Sequence, residues 1–169
     1  MRELIRDNAM LLSAISRFNI AFGFGDSSVG QVCRDNGVDT DIFLCVCNLL
    51  SGYRYNVYSI SLKSLMGYLR RAHTSFLDVT FPKIRHYLID AINYSESNEA
   101  ALLLMKFYDD YVIEVRRHMD YENDVIFEYV DRLLGGEVDE EFNIAKYSVS
   151  HVDTAAKLKE LKDIFIYHY

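Results

Sequence analysis

Proline occurs once in the 169 residues, cysteine three times, and no apolar run comes close to the ~20 residues that a membrane-spanning helix needs. The single proline excludes a collagen-like, mucin-like or proline-rich chain. Three cysteines, Cys33, Cys45 and Cys47, make an odd set, and an i,i+2 pair on a helix diverges, so these are read as buried thiols and not as a disulfide framework. Positive charge is also scarce: 18 lysines and arginines against 25 acids leave a net charge of −7, which repels phosphate backbones and anionic lipid heads. Nucleic acid and membrane are therefore not expected as direct partners. The opening MRELIRDNAMLL lacks the apolar stretch and small-residue cleavage site of a signal peptide, so a cytoplasmic location is expected. Phosphate loops, dinucleotide fingerprints and nucleophile–base arrangements are missing too, which leaves an outright enzyme as the weakest of the functional classes.

What is present is helical periodicity. Half the residues are hydrophobic and a quarter charged, the balance of a chain that folds around a core. Apolar residues in 4–20 (LIRDNAMLLSAISRFNI) fall mostly on one helical face, and Gly23 and Gly25 end the pattern. Ser28 with Gln31 resembles a capping box and predicts a short helix that stops at Gly37. Asp39 or Thr40 can cap the next, DIFLCVCNLL, which ends near Gly52. Residues 1–52 thus form a small helical unit. The tyrosine-rich YRYNVYS locally favours a strand but has no second strand to pair with, and is read as a linker. Three long helices are predicted beyond it: 61–92, kinked by Pro82; 99–134, stopped by Gly135 and Gly136; and 140–169. The fold class is all-α, with an up-and-down bundle over 60–169. Three long helices leave one apolar face bare, and LKELKDIFIYHY ends without a C-cap, so a fourth helix from a longer chain, or a second copy docked in the groove as a homodimer, is expected to cover it.

The sharpest chemical signal is His118 with Glu122 in RRHMDYENDVIFEYV. Four residues along a helix bring two side chains to one side, so an imidazole and a carboxylate can reach one metal ion. The plain alternative is a solvated polar pair on a surface helix. Tyr111, Val115, Met119 and Val125 share the stripe of His118, and a charge on that face is costly unless a partner such as a metal offsets it. His73, flanked by Leu69, Phe76 and Leu77, and His151, in the first half of the last helix, are the other inward candidates, with a satisfied core histidine as the alternative for each. His86 is thirteen residues beyond His73 and His168 seventeen beyond His151, about 20 and 25 Å along their helices, so neither can join the same metal ion.

The segments YLRRAHTSFLDVTFPKI, HMDYENDVIFEYV and YSVSHVDTAAKLKELKDI together resemble hemerythrin-type HHE cation-binding domains. The opening LIRDNAMLLSAISRFNIAFGFGDSSVGQVCRDNGVD is similar to the small helical domain that precedes hemerythrin in the di-iron proteins of iron-sulfur cluster repair. That resemblance implies a non-haem di-iron site with His73, His118 and His151 as terminal ligands and Glu122 as a bridge. It also implies a small ligand such as oxygen or nitric oxide and a place in the oxidative or nitrosative stress response. Two departures stand out. AFGFGDSS lacks the adjacent cysteines that the small domain of the family carries, which weighs against a thiol-dependent repair step. The histidine and carboxylate of the family's last helix are also missing, so the iron site is expected to be incomplete in these residues. The competing expectation is a helical regulatory or protein-interaction module, the sensory part of a longer transcriptional regulator.

Overall fold

The computed structural model describes residues 1–56, 59–94 and 99–137, with Phe142, Ala156, Lys159, Glu160 and Asp163 beyond them. Helices account for all the regular structure there, and no strand occurs among the described residues, so the fold is all-α. Residues 53–56, within the tyrosine-rich segment, take no helix. Two compact units divide the chain, Met1–Ser75 and Phe76–Tyr169. The expected last helix, 140–169, lies almost wholly outside the described residues.

The first unit contains α1 (Arg2–Asp7), α2 (Leu11–Arg17), α3 (Val29–Asp35), α4 (Thr40–Leu50) and α5 (Leu62–Ser75). A single helix over 4–20 does not form. Asn8 leaves the helix at φ −149°, its Oδ1 accepts from the Met10 N–H at 3.0 Å, and its Nδ2 donates to Ser51 Oγ at 3.0 Å. An asparagine side chain that bonds the backbone two residues on competes with the helix ladder, and here it wins. Helix α2 then ends on Asn19 at φ 54°, with the Ile20 N–H bonded to the Ile15 carbonyl at 3.1 Å. This is the left-handed stop usually given to glycine, and asparagine tolerates it. Gly37, at φ 65°, ends α3 in the same way, with the Val38 N–H on the Cys33 carbonyl at 2.8 Å.

Helix starts follow from side-chain chemistry. Ser28 Oγ accepts from the Gln31 N–H at 3.2 Å, which forms one half of the capping box. The other half is absent, because the Gln31 amide turns outward to Asp35 at 2.6 Å and Arg34 at 2.8 Å. Asp39 caps α4 through the Asp41 N–H at 2.9 Å, and Ser61 accepts from the Ser64 N–H at 3.3 Å ahead of α5. The core of this unit brings Leu11, Ile15, Ile42 and Phe43 to near-zero exposure around Phe18, which stacks on Tyr68 at 4.7 Å and meets the edge of Phe43 at 5.3 Å.

The second unit begins with a π-helical turn, Phe76–Thr80, followed by α6 (Phe81–Tyr94), α7 (Glu99–Tyr121), a second π-helical turn, Glu122–Ile126, and α8 (Phe127–Leu134). Pro82 accounts for the first π turn: it offers no N–H to the preceding turn and its ring crowds that turn, which widens. Helices α6 and α7 pack antiparallel, as the pairing of Phe81 with Tyr111, Arg85 with Asp109 and Leu88 with Leu104 requires. Tyr108 Oη donates to the Phe81 carbonyl at 2.8 Å, and the Arg85 guanidinium forms a two-point pair with Asp109 at 2.8 and 3.0 Å. That ion pair is exposed and contributes register more than stability. Gly136, at φ 89°, closes α8 with the Glu137 N–H on the Arg132 carbonyl at 3.0 Å.

Burial of this kind sets a contrast between two leucine-sized residues. Ile15→Ala, at a site with 0% exposure, is expected to lower unfolding free energy by about 2–5 kcal/mol in urea titration. Leu102→Ala, at 70% exposure, should stay within about 0.5 kcal/mol of the parent. Equal effects would contradict this placement of the core.

Candidate metal centre

Helix α7 presents its buried residues in one stripe: Ala101, Leu104, Tyr108, Tyr111 and Val115, spaced alternately by three and four. The next two positions of that spacing are His118 and Glu122. Their side chains are 16% and 14% exposed, so the pair is not the solvated surface pair that i,i+4 spacing alone allows. The stripe resumes at Ile126 and Phe127, both buried. The π turn that starts at Glu122 spans this step: Ile126, four residues on, keeps the face that α-helical spacing gives it, and the wider turn brings Phe127, five residues on, to that face as well. Val125, grouped with His118 by simple periodicity, is correspondingly only half-buried.

His118 Nε2 and Glu122 Oε1 lie 3.6 Å apart. That is longer than a hydrogen bond, which weakens beyond about 3.2 Å. Two donor atoms each about 2.0–2.1 Å from one metal ion are separated by roughly 3–3.5 Å, so the observed gap needs only a small side-chain adjustment to take an ion. A neutral imidazole beside a carboxylate suits iron, zinc and related divalent ions. The residues present fit a metal to that extent: they supply two ligands.

His73 is buried, at 5% exposure on α5 beside Ala72. It belongs to the unit Met1–Ser75, whereas His118 and Glu122 belong to Phe76–Tyr169. His151 lies outside the described residues, as does His168. Among the described residues, no group of three or more histidine, cysteine, aspartate or glutamate side chains is arranged to hold a metal ion. His86 is on the surface, with its Nε2 3.4 Å from Asp90 Oδ2. The π turns escaped the sequence reading. Pro82 is the signal for one, and the adjacent apolar residues Ile126 and Phe127, four and five residues past Glu122, are the signal for the other.

Comparison with protein-family models, with curated proteins and with solved structures finds no match to this chain. The hemerythrin likeness therefore rests on the residues themselves.

Among the described residues the cysteines join no metal-ligating group. Cys33 and Cys47 are buried and Cys45 half-buried, all as free thiols. Burial pushes Cys33 up, with a hydrogen bond from Thr40 opposing the shift. Burial, reinforced by Cys33, pushes Cys47 up to about 12. In the second unit burial, with the nearby Asp109 charge, pushes the Tyr108 phenol up to about 12. Both groups are neutral when folded and ionise more readily when unfolded, from ordinary values of 9.0 and 10.0. Their contribution to stability is complete below those values and is lost as pH rises toward about 12. Chemical denaturation is expected to show a stability that holds from neutral pH to about 9 and falls above it, with Cys47→Ala making the fall shallower. A fall that begins below neutrality, or one untouched by Cys47→Ala, would contradict these shifts.

Proposed function

We propose that this chain is a non-haem iron-binding module of hemerythrin type, which binds or senses oxygen or nitric oxide species in the oxidative or nitrosative stress response or in iron-sulfur cluster repair. The observation that carries the reading is the His118–Glu122 pair, placed in the core stripe of α7 with its donor atoms 3.6 Å apart. The π turn that begins at Glu122 supports it, since single π turns within α-helices occur frequently at functional sites. His118 would offer its imidazole as a terminal ligand and Glu122 its carboxylate as a bridging one. In the resemblance, His73 and His151 take further terminal positions. Bound iron would supply a site for a diatomic ligand or for electron exchange. The chain's own residues would hold the ion and limit water around it, through Val115 and Ile126 in the same stripe. A cytoplasmic location belongs to this reading; no helix among the described residues is long and apolar enough to cross a membrane.

The second reading is a helical regulatory or interaction module with an incomplete metal site, the sensory part of a longer transcriptional regulator, dimerising through an apolar groove. It is favoured by the lack of a three-ligand cluster among the described residues and by exposed Leu102, Leu103 and Ile113 on α7.

Metal binding separates the two. The chain loaded anaerobically with ferrous iron is expected to retain it through gel filtration. Glu122→Ala and His118→Ala should each weaken retention by about ten- to a hundredfold or more, with far-ultraviolet circular dichroism unchanged. Iron retained equally by both variants would overturn the assignment. A metal-free chain that sediments as a dimer would select the second reading.

A further inference from the structure

A cleft of about 430 Å³ opens in the unit Met1–Ser75, and the metal reading makes no use of it. Phe18 and Ile42, both buried, give it an apolar floor with Val38, while Lys63, Arg71 and Asp39 supply its charged groups. Small-molecule sites run from about 300 to 1,000 Å³, so the cleft is sized for a small organic molecule and is generous for a bare inorganic anion.

Two features argue for a built site. The Arg71 side chain is fixed before any ligand arrives: Nε donates to the Arg17 carbonyl at 2.7 Å, and the guanidinium lies 5.8 Å over the Phe18 ring. A planar fork held in this way recognises a carboxylate with little further loss of side-chain freedom. The second feature is Gly67, in the interior of α5 and on the wall of the cleft. Glycine destabilises a helix interior relative to alanine, yet a Cβ at this position would meet only Arg71 Nη1, at an ordinary 3.7 Å. Packing within the fold therefore does not call for glycine there. Its absent side chain leaves the cleft wide beside the guanidinium. Asp39, whose Oδ1 is engaged by the Asp41 N–H, also lines the cleft, and its carboxylate disfavours a second anionic group on a ligand.

We propose that this cleft binds a small monoanionic organic acid, with its carboxylate on Arg71 and Lys63 and its apolar body over Phe18, Val38 and Ile42. The proposal stands independently of the iron reading. The test is titration of the full chain with sodium benzoate at low salt, followed by amide nuclear magnetic resonance. Saturable shifts at Gly37 and Gly67 are expected, with affinity in the millimolar range or tighter. Neutral benzamide and dianionic phthalate should each bind at least about tenfold more weakly. Lys63→Glu, a change at an exposed residue, should weaken benzoate by about tenfold or more, and Gly67→Leu should abolish its binding. Benzoate shifts that never saturate, equal binding of benzamide, or wild-type affinity in Lys63→Glu would each overturn the proposal.

Discussion

The second unit depends on the apolar stripe of α7, and the physical tension lies in that stripe's sixth and seventh positions, where His118 and Glu122 replace aliphatic side chains. Leu104, Tyr108, Tyr111 and Val115 pay for helix packing by leaving water. An imidazole and a carboxylate in the same row lose hydration without that gain, and the carboxylate most of all. A separation of 3.6 Å forfeits most of the direct hydrogen bond between them. The imidazole and carboxylate stand side by side in a mostly dry row, and the proposed metal ligation rests on that placement.

The π turn follows from the same row. An α-helix that kept its phase past Glu122 would carry Ile126 inward and turn Phe127 away, whereas the turn Glu122–Ile126 leaves both in the core. The wider turn thus lets the helix bury two adjacent apolar groups beyond the polar pair. The turn at Phe76–Thr80 has a different origin, in the missing N–H of Pro82. Tyr108, buried on α7, donates its hydroxyl to the Phe81 carbonyl and so ties the helix just past that turn to the apolar stripe.

Much of the fold was legible because its punctuation is local. Ser28 and Asp39 start helices through their own oxygens, and Gly37 and Gly136 stop them through left-handed backbone. The all-α class followed from the same signals. The break at Asn8 is not legible in the sequence, because it depends on a choice between the helix ladder and the Met10 N–H, and the distant Ser51 hydroxyl helps to decide it. The Gln31 amide likewise found Asp35 and Arg34 in preference to the helix start. At the candidate site, the pairing of His118 with Glu122 was visible in i,i+4 spacing, but its withdrawal from solvent was not, since burial depends on what packs over the helix. The cleft at Arg71 was invisible for a related reason: the Arg17 carbonyl that fixes the guanidinium lies 54 residues away in sequence. Gly67 was its one sequence trace.

Ligation at His118 is the claim on which the functional account turns, and cobalt(II) substitution reads it directly. In the cobalt-loaded chain, the account predicts paramagnetically shifted imidazole proton resonances that vanish in His118→Gln and weaken or move in Glu122→Gln. Cobalt binding with no shifted imidazole signal, or signals unchanged by His118→Gln, would contradict it.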